Sequence, residues 1–65
     1  MKAEEMMRIA VDLGCKLEVW TWHLPNGGWF AFTNDESEVY GSLGRIFVAN
    51  MTEHVWRKLL TRDAK

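Results

Sequence analysis

The spacing of apolar positions changes along the chain, and each spacing predicts a different element. Over residues 3–13, Ala3, Met6, Met7, Ala10 and Leu13 recur at three- and four-residue steps, which gathers them on one stripe of a helix. Glu4 and Glu5 fall in the first turn of that helix, where its dipole favours negative charge. Gly14 supplies the left-handed residue that ends it, and Cys15 follows as the apolar contact that folds back on the last turn. Residues 16–23 and 29–34 alternate instead, are rich in β-formers, and flank Pro25-Asn26-Gly27-Gly28. That is the pattern of a β-hairpin.

Two hairpin registers compete. A two-residue loop at Asn26-Gly27 puts Trp20, Trp22, Trp29 and Ala31 on one face, with Phe30 and Phe32 opposite, so both faces are mixed. A three-residue loop sets a type I turn at Pro25-Asn26 with Gly27 in the left-handed bulge position. It pairs Trp22 with Phe30 and Trp20 with Phe32, leaving Thr21, His23, Trp29, Ala31 and Thr33 on the other side. We favour the second register, because Pro before Asn suits a type I turn. It makes Trp20, Trp22, Phe30 and Phe32 the expected core face.

Asn34 to Ser37 then reads as a turn, and Glu38-Val39-Tyr40-Gly41 begins a third strand. Residues 42–49 fit a helical stripe through Leu43, Ile46 and Phe47, and equally a buried strand at Ile46–Ala49; periodicity does not separate the two. Asn50 is an expected N-cap with Glu53 at the capping-box position. Val55, Trp56, Leu59 and Leu60 form the apolar face of a last helix, and Arg57, Lys58 and Arg62 suit its C-terminal end. The expected fold is α+β: an N-terminal helix, an antiparallel hairpin extended to a three-stranded sheet, and a C-terminal helix, in a single compact domain over residues 1–65.

Composition sharpens this picture. A chain of 65 residues buries only about 60% of the surface it exposes when unfolded, so its stability margin is thin. Cys15 is the only cysteine, which excludes an intrachain disulfide and points to a reducing compartment. Zinc needs about four clustered ligands, and Cys15, His23 and His54 are too few and too widely spaced, so neither metal nor cofactor is expected. Stability must come from packing, which 48% hydrophobic residues and four tryptophans can supply. The chain has no apolar run of membrane-span length and an N-terminus unlike a signal peptide. The expected location is the cytoplasm, that of the host cell if a phage encodes the chain.

No catalytic motif emerges. His23 and His54 have no nucleophile presented to them, and Cys15 follows a helix C-terminus, where the dipole raises a thiol pKa. The glycine pairs lack the Lys-Ser/Thr of a phosphate loop. Asp35, Glu36 and Glu38 form an acidic edge beside Tyr40. Arg57, Lys58, Arg62 and Lys65 form a basic strip that Arg45 can extend. A formal net charge of −1 does not predict nucleic acid as a direct partner. Trp29 lies out of phase with the core aromatics, where it either anchors an interface or shields the hairpin's outer face.

Two families resemble the chain. In its order of elements, and in having His23 on a strand, it is similar to the HicA-type toxins, small RNA-cleaving domains with a strand histidine. The chain departs from them at Gly27-Gly28-Trp29-Phe30, where the toxins carry a Gly-Ser-His-like segment. In kind, a small domain without active site, cofactor or basic excess, the chain resembles phage-encoded anti-CRISPR inhibitors of type I systems, notably type I-C. That resemblance implies a non-enzymatic inhibitor that binds a host protein complex such as a CRISPR effector and blocks its engagement of target DNA; the chain itself is expected to be a monomer or a weak homodimer, since a partner surface can complete a small core. Trp29 and Tyr40 would then be apolar anchors, with Asp35, Glu36 and Glu38 standing in for phosphate. The alternative is a small RNA-binding or RNA-cleaving domain using Arg57, Lys58 and Arg62.

Overall fold

In the computed structural model, which describes residues 1–62, the chain runs α1 (Ala3–Asp12), β1 (Lys16–Glu18), β2 (Thr21–His23), β3 (Trp29–Phe32), β4 (Glu38–Gly41), β5 (Ile46–Phe47), a 3-10 turn (Val48–Asn50) and α2 (Glu53–Thr61). The α+β class is the one expected, but the sheet has five strands where the sequence predicts three. They form an antiparallel meander in the order β1-β2-β3-β4-β5.

Local signals explain most of the elements. Helix α1 ends in a Schellman motif: Cys15 N–H donates to Ala10 C=O at 2.9 Å and Gly14 N–H to Val11 C=O at 3.0 Å. Gly14 takes the left-handed φ of +90° that this closure requires. The β2–β3 loop is the three-residue form. Gly27 N–H donates to Leu24 C=O across Pro25-Asn26, Gly27 has φ +101°, and Leu24 N–H donates to Gly28 C=O at 2.8 Å. The register follows, with Trp22 opposite Phe30 and His23 opposite Trp29.

Three expectations fail. Residues 16–23 are not one strand: the chain reverses at Val19-Trp20 and pairs Glu18 with Thr21, so Trp20 never reaches Phe32. Trp20 is therefore not a core residue but 81% exposed. Residues 42–49 fit neither reading: Leu43, Ile46 and Phe47 lie on no helix, and the strand is confined to Ile46–Phe47, with Val48–Asn50 forming a 3-10 turn. The N-cap of α2 is Thr52, whose hydroxyl accepts from Val55 N–H at 3.4 Å, and not Asn50. Burial of Val48 and Met51 draws the intervening chain into the 3-10 turn and an extended link, so the helix starts later than the capping-box pattern suggests.

Both helices cover one face of the sheet. Met6, Ile9 and Ala10 from α1 and Trp56 and Leu60 from α2 meet Trp22, Phe30 and Val39. Trp56 is wholly buried at the centre. Its Nε1–H donates to Met6 C=O at 2.9 Å, and its ring stands edge-on to Phe30 at 5.0 Å between centroids. The outer face carries Lys16, Glu18, Thr21, His23, Trp29, Ala31, Glu38, Tyr40 and Phe47, and no helix among the described residues covers it.

Candidate protein-binding surface

The reversal at Val19-Trp20 builds the most unusual surface of the molecule. Of its two central residues only Val19 has positive φ, at +58°, as in a type II′ turn whose first central position ordinarily holds Gly. A β-branched residue there is a genuine outlier. Val19 and Trp20 are 85% and 81% exposed, so no burial in the monomer offsets the strain. Substituting V19G is expected to raise stability by about 1 kcal/mol, since the strain relieved is about 1–3 kcal/mol and glycine's extra chain entropy offsets part of it. Thermal unfolding followed by circular dichroism should show a midpoint higher by several degrees; an unchanged or lower midpoint would mean the turn stores no strain.

Because β2 turns away, its pairing with β3 stops at Trp22 and Phe30. A cleft of about 560 Å³ opens between the hairpin tip and the β3–β4 turn. Leu17, Trp20, Phe32 and Met7 give it apolar walls, Tyr40 closes it on the outer side, and Thr33, Asn34 and Glu36 form a polar end. Beside it, the rings of Trp29 and Tyr40 meet edge-on at 6.2 Å. They are 41% and 43% exposed, and Phe47 lies on the same outer face. The two anchors expected from the sequence are thus brought together, next to an aromatic that the sequence reading had placed in the core.

The acidic edge is divided by the fold. Asp35 turns back on its own loop, where its carboxylate accepts from Ser37 Oγ at 2.7 Å, Thr33 Oγ1 at 2.9 Å and Ser37 N–H at 3.1 Å. These bonds, those from Ser37 foremost, hold its pKa below the ordinary carboxylate value. Glu38 is ion-paired with Arg45, which strengthens the positive charge of the guanidinium, and the carboxylate side chain is only 18% exposed. Of the three acids, Glu36 alone has no side-chain partner among the described residues; it has φ +59° at the tip of the β3–β4 turn.

The basic strip is similarly weakened. Arg57 is bonded to Glu53 at 3.0 Å, one helical turn away, and Arg45 belongs to the sheet rather than to α2. The Arg62 carbonyl accepts from the Asn26 side chain, which ties the end of α2 to the hairpin loop. Lys58 is exposed, and Lys65 lies outside the described residues. His23 is on the outer face with Glu18 Oε1 3.1 Å from its Nε2, while α2 packs against the other face. The histidine and the α2 cations therefore do not converge on one substrate. Burial pushes the Cys15 thiol pKa up, which leaves it protonated and unreactive.

Among the described residues, no three His, Cys, Asp or Glu side chains lie close enough together to hold a metal ion. No helix there is long and apolar enough to cross a membrane. Sequence reasoning missed Leu17, Val19 and Trp20 as surface residues. The segment Lys16–His23 contains no Gly, Asn, Asp or Pro, so the hints of a reversal are its length, greater than that of its partner strand, and the slip of its alternation at the adjacent apolar pair Val19-Trp20. Compared with protein-family models, with curated proteins and with solved structures, the chain gives no match.

Proposed function

We propose that this chain is a non-enzymatic protein-binding inhibitor that grips its partner with the Val19-Trp20 tip and the aromatic cleft behind it. The observation that carries this reading is Trp20, a large apolar side chain left almost fully in water on a strained turn. Strained conformations persist where the surrounding structure over-determines them and cluster at binding and active sites. Tryptophan is among the residues most enriched at the energetic centres of protein interfaces. Leu17, Phe32 and Tyr40 offer the partner a ready apolar recess beside it.

An anti-CRISPR that covers the nucleic-acid path of a type I effector is the form of this function that the family resemblance suggests. In that form Glu36 is the one carboxylate of the acidic edge free to take the place of a phosphate. Asp35 acts instead by holding the β3–β4 turn in shape, and Glu38 by tying β4 to Arg45 ahead of β5.

The test is an interference assay in cells carrying a type I CRISPR system. The wild-type chain should restore phage plaquing, and W20A should lose that effect while unfolding at the same temperature. Binding to the purified effector should weaken about thirtyfold, the scale of an interface hot spot. K58A should change neither. Wild-type failure to protect phage would remove the anti-CRISPR form, and full inhibition by W20A would remove the tip as the binding site.

A further inference from the structure

Strand β1 is the open edge of the sheet, and all three of its residues are exposed. The opposite edge, β5, has only two residues before the 3-10 turn. Across a two-residue turn the flanking pair, here Glu18 and Thr21, exchanges both backbone hydrogen bonds, and such pairs alternate along the ladder. Lys16 and His23 are the next bonded pair, so the N–H and C=O of Leu17 point outward, away from β2.

Charges usually blunt an edge of this kind. Here their order does something more specific. Read antiparallel against itself about Leu17, the segment Lys16-Leu17-Glu18 sets each lysine opposite a glutamate. Centring the pairing on Lys16 or on Glu18 sets like charges face to face instead. Lys16 has no ion-pair partner among the described residues, and Glu18 meets only His23.

We infer that a second copy of this chain docks on β1, antiparallel and two-fold about Leu17, to continue the sheet from one protomer into the next. The outward N–H of each Leu17 donates to the C=O of the other, and the two half-exposed leucine side chains meet on the helix-bearing face. Two lysine–glutamate pairs flank them on the outer face, where opposite charges directly across a strand pair are favourable and like charges are not. The contact uses three residues per copy, of which Leu17 is also a wall of the aromatic cleft, and leaves Trp20 on the turn beyond it; the dimer goes beyond the proposed inhibition and does not rest on it.

Sedimentation equilibrium reads the association directly. The mass should rise from 7.6 kDa toward twice that value as concentration increases. K16E and E18K should each weaken self-association about tenfold or more, because each sets like charges opposite each other in both flanking pairs. Mixed in equal amounts, the two single variants should associate with each other as well as the wild type does with itself, and the double variant K16E/E18K should dimerise again. Both positions are solvent-exposed, so unfolding midpoints should stay close to wild type. A wild-type chain that remains monomeric up to about 1 mM would overturn the inference. So would single variants that dimerise normally, or a mixture that fails to reassemble. W20A should dimerise like the wild type, which separates this result from the fate of the inhibitory reading.

Discussion

Replacing Trp56 with alanine should leave the protein largely unfolded in dilute buffer. A chain of this length has a total stability of about 3–10 kcal/mol on the per-residue scale of natural domains. Truncating a buried aromatic to alanine costs about 3–5 kcal/mol through lost burial and the cavity left behind. Trp56 has no exposed surface, and it is shared by α1, α2 and β3, so no single element can shift to refill the space. Its loss also strands the Met6 carbonyl that it bonds. Far-UV circular dichroism and urea titration should show a broad or absent transition. W56F, which keeps an aromatic ring but not the donor, should retain the fold with a loss of about 1–3 kcal/mol, the cost of a buried unsatisfied acceptor. A cooperative W56A transition near the wild-type midpoint would mean that the core is not organised around this residue.

The same tryptophan chemistry at position 20 should give the opposite result, with stability unchanged and binding lost. The contrast comes from burial alone.

Substituting G41A should be nearly as damaging, by about 3 kcal/mol or more, and for a backbone reason. Gly41 has φ +131°, a conformation that costs an L-residue roughly 1–3 kcal/mol by itself. An added Cβ would also lie 2.7 Å from the Trp29 carbonyl oxygen and 2.9 Å from Phe30 Cα. Those atoms belong to the central strand and cannot move without breaking the pairing of β3 with β4. Beyond Gly41 the hydroxyl of Ser42 donates to Trp29 C=O and accepts from Trp29 N–H, both at 2.8 Å, so the substitution would also disturb the backbone that carries Trp29. Chemical denaturation should show the midpoint falling sharply with the slope preserved. The equivalent change at Gly44, where a Cβ meets nothing within 4 Å, should cost less, from its φ of +86° alone. Similar midpoints for the two alanine variants would rule out steric conflict at Gly41 as the cause.

These residues show where a sequence of this kind is legible. Gly14 and Gly27 announce their roles because a left-handed turn has few other occupants, and the Pro25-Asn26 pair chose the loop length and with it the register of β2 on β3. The run Glu38–Gly41 after the Asn34–Ser37 turn gave the start of β4. Trp29 was identifiable as outward-facing because the hairpin register put it out of phase with Phe30, whereas the side of the sheet taken by Tyr40 needed the pairing of β4 on β3. Asp35 and Glu38 were legible as charges but not as partners, since their companions, Ser37 and Arg45, are selected by the path of the loop.

The sequence by itself determined the α+β class, an amphipathic helix at each end of the chain, the central hairpin and the absence of an intrachain disulfide, because these follow from local periodicity, turn chemistry and composition. Tertiary structure decided that the slip of alternation at Val19-Trp20 would be a turn and not a bulge in one long strand. Its own residues disfavour a turn, so the reversal follows from how the chain packs after Cys15 is pinned beneath α1 and Trp22 is drawn into the core. A three-residue strand then spans the distance from Cys15 to the turn, and a second returns from it to Trp22. That competition between a local preference for extended chain and two distant burial sites places Trp20 in water. It makes a residue that reads as core the most exposed aromatic of the described structure.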